Sequence, residues 1–155
     1  MPRLLSFTAC EYAIVNQIDT TLSLTKVLDI ARVQPFTPGP DEVPEYRDAK
    51  YILMPFTTSA LWIPEPEDTT AFEESIALVA PDGRITELPQ ITLIQLTGDY
   101  QRVFHQFENI TLREVGIYRL IVRSRPAGFE SWEEKGEWLF VAAPVFVQPG
   151  SSLPD

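Results

Sequence analysis

Cysteine and histidine are nearly absent from this chain of 155 residues, which contains one of each. Because Cys10 stands alone, no disulfide can form within the chain, a pattern typical of proteins in a reducing compartment. Because His105 stands alone, a zinc site built from histidine and cysteine lacks ligands. A nucleophile motif of the Gly-x-Ser-x-Gly type is also missing. These absences favour a protein that is not an enzyme and carries no metal or cofactor.

Positive charge is scarce as well. Twelve Lys and Arg face 22 Asp and Glu, which gives a formal net charge of -10. An acidic surface repels phosphate backbones and anionic lipids, so the composition predicts binding to neither nucleic acid nor membrane. Arg119, Arg123 and Arg125 form the one candidate basic patch. The glutamates that follow them between residues 130 and 137 are expected to dilute it.

Long hydrophobic runs are missing too. No stretch reaches the roughly 18 apolar residues of a membrane span, and residues 1–7 lack the apolar segment of a secretory signal. The sequence therefore predicts a cytoplasmic protein. A hydrophobic fraction of 45% is enough for one core without disulfides. We expect a single domain over residues 1–148, followed by a flexible polar tail over 149–155.

Short apolar runs separated by turn residues cover most of the chain. The clearest is Gly116–Val122, where Tyr118, Leu120 and Val122 alternate with polar positions, as in a strand with one buried face. A tyrosine after such a glycine is typical of the corner of immunoglobulin-like sandwiches. Most of the 14 prolines lie between these runs, where they indicate turns and loops. Since no convincing amphipathic helix is present, the sequence predicts an all-β, immunoglobulin-like antiparallel sandwich of eight or nine strands.

Several runs carry specific expectations. Leu22–Val33 reads as one strand with Lys26 on its apolar face, unless a bend there turns Val27 inward. Lys50–Ile63 reads as one strand that Pro55 interrupts. Residues 81–84 (Pro-Asp-Gly-Arg) predict a tight hairpin turn, and residues 91–96 a separate strand. Residues 69–74 and 128–135 leave room for a short helix.

The chain resembles an uncharacterised bacterial family whose members look like single β-sandwich domains. The shared features are Glu11-Tyr12-Ala13 in the opening strand, Leu22-Ser23-Leu24 after a polar turn, and the late Gly116-Ile117-Tyr118 strand. Ala80-Pro81-Asp82-Gly83 and Phe107-Glu108-Asn109-Ile110 match as well. Residues 128–136 depart from the family pattern as a longer insert. The resemblance implies the fold, and no catalytic residue can be carried over from it.

The segment 125–136 is the strongest candidate for a binding site. Two large aromatic residues, Phe129 and Trp132, stand in a charged hairpin loop, where small polar residues are usual. Exposed aromatics rimmed by charge are typical of protein interfaces. We therefore expect a binding or assembly module that engages a protein partner, or a second copy as a homodimer, through this loop and an edge strand.

Other functions remain open on the sequence. Trp62, Phe129 and Trp132 could bind carbohydrate or another small ligand, although the opposing interpretation places Trp62 and Trp138 in the core and folds Phe129 under its own loop. An unfamiliar enzyme could use His105 with a nearby carboxylate, although a packed sheet histidine is the simpler interpretation. The acidic cluster could supply calcium ligands, although a solvated loop is favoured. Its members are Glu65, Glu67, Asp68, Glu73 and Glu74.

Overall fold

The protein consists of two packed β-sheets. Its structure, a computed structural model, describes residues 1–16, 21–40, 47–65 and 71–144. This part of the chain contains eleven strands and no helix, and hence no helix that could cross a membrane. Residues 128–135, which left room for a helix, form a turn region and the start of the last strand. In chain order the strands are β1 (Arg3–Val15), β2 (Leu22–Val27), β3 (Ile30–Pro35), β4 (Tyr51–Leu53), β5 (Phe56–Ile63), β6 (Phe72–Val79), β7 (Ile85–Ile94), β8 (Gln101–Phe107), β9 (Thr111–Leu112), β10 (Gly116–Pro126) and β11 (Glu133–Pro144).

The smaller sheet has the strand order β2-β1-β5-β8, and the larger has the order β7-β6-β10-β11-β3-β4-β9. Every neighbouring pair is antiparallel except β11 and β3, which run parallel. The predicted all-β, two-sheet architecture is confirmed. The predicted strand count of eight or nine is too low, and the parallel pair departs from a purely antiparallel sandwich.

Strand β10 is an interior strand of the larger sheet, and its alternation is as predicted. Tyr118, Leu120 and Val122 are at most 1% exposed and belong to the core. The Tyr118 hydroxyl donates a hydrogen bond of 2.8 Å to the backbone carbonyl of Glu114, four residues upstream. Burial, followed by the negative charge of Glu114, raises the pKa of Tyr118 to about 12. The tyrosine thus ties the loop before β10 to the core.

Two segments that the sequence predicts as single strands divide between the sheets. Leu22–Val33 splits into β2 in the smaller sheet and β3 in the larger, and Lys26 has a positive φ of 54° near the break. A bend exists, but Val27 stays 44% exposed and Leu28 is buried. The prediction that Val27 points inward is therefore wrong, because Leu28 does so instead. The segment around Pro55 splits in the same way, into β4 and β5. Splitting lets one continuous apolar run contribute to both layers of the core.

The hairpin predicted at residues 81–84 is confirmed between β6 and β7. The Ala80 amide donates to the Arg84 carbonyl at 2.9 Å, and Gly83 has a φ of 84°, which glycine adopts without strain. The following strand is continuous over Ile85–Ile94, so the separate strand expected at residues 91–96 is wrong. Strand β7 is an edge strand, where a proline such as Pro89 is tolerated. The predicted tail at residues 149–155, like the end of the predicted domain, lies outside the described residues.

Candidate functional site

The loop between β10 and β11 presents Phe129 to solvent. The Phe129 amide donates to the Pro126 carbonyl at 3.1 Å, and Gly128 between them has a φ of 85°. Such a turn, with glycine in the left-handed region, fixes the direction in which the chain leaves β10. The Phe129 side chain is 64% exposed. It therefore stands on an ordered turn and does not fold back under the loop.

Trp132, three residues further on, is half-buried and lies against two arginines of β10. The guanidinium carbon of Arg125 lies 4.2 Å from the centre of the indole ring, and that of Arg123 lies 5.4 Å away. Each such cation–π contact contributes about 0.5–2 kcal/mol, depending on how far the pair is desolvated. We call these three residues the arginine–tryptophan cluster. It holds the indole against the sheet.

Glutamates of neighbouring strands hold both arginines in place. Arg125 Nε donates to Glu73 Oε2 on β6 at 2.6 Å. Arg123 forms a bidentate pair with Glu87 on β7 and donates to Ser75 Oγ at 3.1 Å. The sequence predicted that glutamates 130–137 would dilute the arginines, but the acids that neutralise these two come from other strands. The cluster is therefore braced across three strands of the larger sheet.

Trp62, the third aromatic residue proposed to bind a ligand, is fully buried. Its ring packs edge-on against Phe72 at 5.1 Å, and its indole N–H donates to Glu74. A ligand at the surface cannot contact this side chain, so the predicted binding role of Trp62 is wrong. The opposing interpretation, in which Trp62 belongs to the core, describes it correctly. Of the three aromatic residues, only Phe129 and Trp132 are accessible, and both lie in the 125–136 loop.

Trp62 belongs to a buried polar network that links the two sheets. Glu74 on β6 accepts from Trp62 on β5 and lies 2.7 Å from His105 Nε2 on β8. The other ring nitrogen, Nδ1, lies 3.1 Å from Gln90 Oε1 on β7, and the Gln90 amide donates to the Gln106 carbonyl at 2.7 Å. Glu74 is fully buried and His105 is 2% exposed. Substitutions in such a network are expected to destabilise the fold, because a buried polar group without a hydrogen-bond partner lowers the free energy of unfolding.

Each ring nitrogen of His105 therefore has a polar partner inside the protein, Gln90 at Nδ1 and Glu74 at Nε2. A histidine–carboxylate pair can act as a general base only where substrate reaches it. The burial of His105 argues against catalysis there.

The acidic cluster proposed for calcium does not converge within the described residues. Glu73 pairs with Arg125 on the outer face, whereas Glu74 points into the core. Glu65 lies 3.8 Å from Arg3. Glu67 and Asp68 lie outside the described residues. In the part of the chain that the structure describes, no group of three or more His, Cys, Asp or Glu side chains is arranged to hold a metal ion.

Sequence reasoning missed both the arginine–tryptophan cluster and the buried network. The network had a signal, because Phe72, Glu74 and Ile76 alternate on one face of β6 and place Glu74 inward between two apolar residues. His105 likewise shares its face with Val103 and Phe107. The ion pairs that hold the cluster had no local signal, since they join residues 36 and 52 positions apart.

Comparison with known proteins supports the fold. No protein-family model matches the chain, and no curated protein matches it. The chain is similar to the crystal structure of a hemolymph-type prophenoloxidase from a crustacean, with a TM-score of 0.52 and 9% sequence identity. The match covers 93% of this chain and 34% of that protein, so the chain spans about a third of its length. At this identity, the likeness concerns the fold alone.

Proposed function

We propose that this protein is a non-enzymatic binding module of immunoglobulin-like type that engages a partner protein through the β10–β11 loop. The observation that carries the proposal is an exposed phenylalanine beside a tryptophan held by two arginines. Aromatic and arginine side chains dominate the energetics of protein interfaces. The corner formed by Tyr118 supports the immunoglobulin-like assignment.

The arrangement of the loop supports tight binding to a partner with an apolar pocket. Side chains that are already ordered lose little entropy when a complex forms. Trp132 is fixed by its two arginines, and the turn at Gly128 fixes the backbone of Phe129. The paired arginines would form a polar rim around the aromatic contact, which is the usual anatomy of an interface. Phe129 would insert into the apolar pocket of the partner, and the partner would cover Trp132.

Site-specific photo-crosslinking in cells tests this proposal. A photoreactive phenylalanine analogue replaces Phe129 in one variant and Tyr100 in a matched control, because Tyr100 is an aromatic residue of similar exposure, 53% against 64%. We expect a discrete protein adduct from position 129 and none from position 100. The Trp132→Ala change should weaken the adduct at position 129. Equal labelling from both positions, or no adduct from position 129, would contradict the proposal.

Self-association is a second candidate function, favoured by the outer face of the larger sheet. Four exposed apolar side chains lie together on β10, β11 and β3: Ile117, Leu139, Val141 and Ile30. An apolar sheet face of this kind is a typical homodimer contact. Sedimentation velocity should show a dimer that Leu139→Glu dissociates. The control Leu5→Glu, at a position of similar exposure on the smaller sheet, should leave it intact, and a monomer at all concentrations would refute self-association.

The cytoplasm remains the proposed compartment. Its support is Cys10, the only cysteine, which is buried and unpaired. A free buried thiol suits a reducing environment. Fractionation of cells that express the full chain would test the assignment.

A further inference from the structure

A cleft at one end of the sandwich gathers a third of the chain's positive charge. Its volume is about 530 Å³, and its walls come from the segment before β4, the β6–β7 turn and the β9–β10 loop. Four of the 12 basic side chains of the protein line it: Arg47, Lys50, Arg84 and Arg113. Three carboxylates line it as well: Asp48, Asp82 and Glu114.

The charge of the cleft is opposite to that of the chain. Four cations against three carboxylates give its lining a net charge of +1, while the whole chain carries -10, so the remaining residues carry -11. A local excess of one charge favours ions of the opposite sign. In this acidic protein, a small anion would meet a local excess of positive charge from the described residues of the cleft.

The cations of the cleft are available to a ligand. Arg84 Nη1 lies 3.9 Å from Asp82 Oδ2, and Arg113 Nη1 lies 3.5 Å from Asp48 Oδ2. Arg84 is half-buried and the other three residues are exposed. Exposed ion pairs of this length contribute little to stability, so a ligand can replace the carboxylates at small cost. The side chains of Arg47 and Lys50 form no ion pair with any described residue. Among the described residues, two of the four cations therefore have no carboxylate partner and the other two have exposed ones.

Hydrogen bonds that involve backbone groups fix the three segments that carry these charges. The Lys50 amide donates to the Leu112 carbonyl at 2.9 Å, which joins the segment before β4 to β9. The Arg84 amide donates to Asp82 Oδ1 at 2.9 Å within the β6–β7 turn. Tyr118 holds the carbonyl of Glu114 in the third segment. Loops held on a rigid sandwich in this way are frequent binding sites.

We propose that this cleft binds a small organic molecule through a phosphate or sulfate group. Three guanidinium groups and one ammonium group offer more donors than the two oxygens of one carboxylate can accept, whereas a tetrahedral oxyanion can accept them from several sides. Guanidinium groups also bind such oxyanions in bidentate fashion. The volume lies in the range of small-molecule sites and exceeds that of the bare anion, which leaves room for an organic group.

This cleft is independent of the proposed partner site. It lies beside the Gly116 end of β10, whereas Phe129 follows the Pro126 end. Ten residue steps of extended strand separate the two ends by about 33 Å. Loss of anion binding would leave the proposed partner contact untouched, so the failure of one proposal can be distinguished from the failure of the other.

Titration of the full chain, followed by amide chemical shifts in NMR, tests the proposal. The probes are inorganic phosphate, sulfate, acetate and phenyl phosphate, each at constant ionic strength with sodium chloride. We expect phosphate or sulfate to shift amides of residues 47–50, 82–84 and 113–114, and the matching ester to bind more tightly than the inorganic ion. Binding of phosphate alone would identify a phosphate ester, and binding of sulfate alone a sulfate ester.

Charge variants make the test specific. The double change Arg84→Gln/Arg113→Gln should weaken binding about tenfold or more, as expected for lost charge-assisted hydrogen bonds. The matched control Arg119→Gln also removes an exposed, singly paired arginine, from the sheet face, and should leave binding unchanged. Asp48→Asn, which removes a competing carboxylate, should strengthen binding. Acetate binding as tightly as phosphate, equal losses in both arginine variants, or no shift in these segments would overturn the proposal.

Discussion

Removal of the Glu74 carboxylate should destabilise the protein more than almost any other single truncation of a polar residue. Glu74 is fully buried, accepts the indole N–H of Trp62 and pairs with His105 at 2.7 Å. In Glu74→Ala both partners keep their burial but lose their hydrogen-bond partner. A buried polar group left without its partner costs about 1–3 kcal/mol, and two such groups are affected, so we expect a cost of about 3–5 kcal/mol.

The magnitude is a large part of the total stability of a domain. The free energy of unfolding of such domains is about 5–15 kcal/mol, so Glu74→Ala removes a substantial share of it. For a chain of this length it corresponds to a melting temperature lowered by roughly 6–20 °C. Glu74→Gln keeps one acceptor oxygen and should lie between the wild type and Glu74→Ala. The double variant Glu74→Ala/His105→Ala should cost less than the sum of the two single changes.

Urea unfolding at neutral pH, followed by tryptophan fluorescence, measures these differences. The matched control is Glu137→Ala, because Glu137 makes one exposed ion pair, with Arg119 at 3.1 Å. Its loss should cost roughly 0–1 kcal/mol. If Glu74→Ala unfolds within 1 kcal/mol of the wild type, or no further than this control, the argument for an essential buried network fails.

Three further predictions concern the backbone, a tyrosine and the cysteine. Gly116→Ala should cost about 1–3 kcal/mol, because φ is 143° and a Cβ atom would lie 2.9 Å from Pro81, whereas Gly98→Ala, with open space, should be nearly neutral in the same melts. The pKa of Tyr118 is raised from 10.0 to about 12, so the folded state holds the phenolic proton more tightly than the unfolded state does. The contribution of this proton to the free energy of unfolding should be complete below pH 10 and lost as the pH rises towards 12. A Tyr118→Phe variant should lack that alkaline loss in pH-dependent unfolding. Cys10 is fully buried and its pKa is raised by desolvation, so a thiol reagent should label it only after urea unfolding, and rapid labelling of native protein would contradict this burial.

The parts of the fold that the sequence predicts are those determined by local geometry. The alternation of Gly116–Val122 and the turn at residues 81–84 depend on neighbours a few positions away, and both appear as expected. The assignment of β2 and β3 to different sheets depends on pairing with β1 and with β11 more than a hundred residues later. Hydrophobic periodicity reports that a strand is buried but does not identify the layer that it joins.

The candidate sites divide along the same line. Phe129 could be identified from its own loop, because a large aromatic residue in a charged turn is a local anomaly. The arginines that hold Trp132 depend on Glu73 and Glu87, which become neighbours only when β6 and β7 pair beside β10. The basic cleft draws its charges from three segments between residues 47 and 114. No single segment of the sequence indicates that these basic side chains lie close together in the fold.

Strand β10 connects the two proposed sites and also argues that they act separately. One end abuts the basic cleft and the other leads into the aromatic loop, with Leu120 and Val122 fully buried between them. A close-packed strand of this kind has no second arrangement to adopt at small cost, and coupling between sites needs an element with two states. Phe129→Ser should therefore leave phosphate or sulfate affinity unchanged, and Arg84→Gln/Arg113→Gln should leave the crosslink at position 129 unchanged. A change in either direction would mean that the two ends of the sandwich communicate, and that the interior around β10 is less rigid than its burial implies.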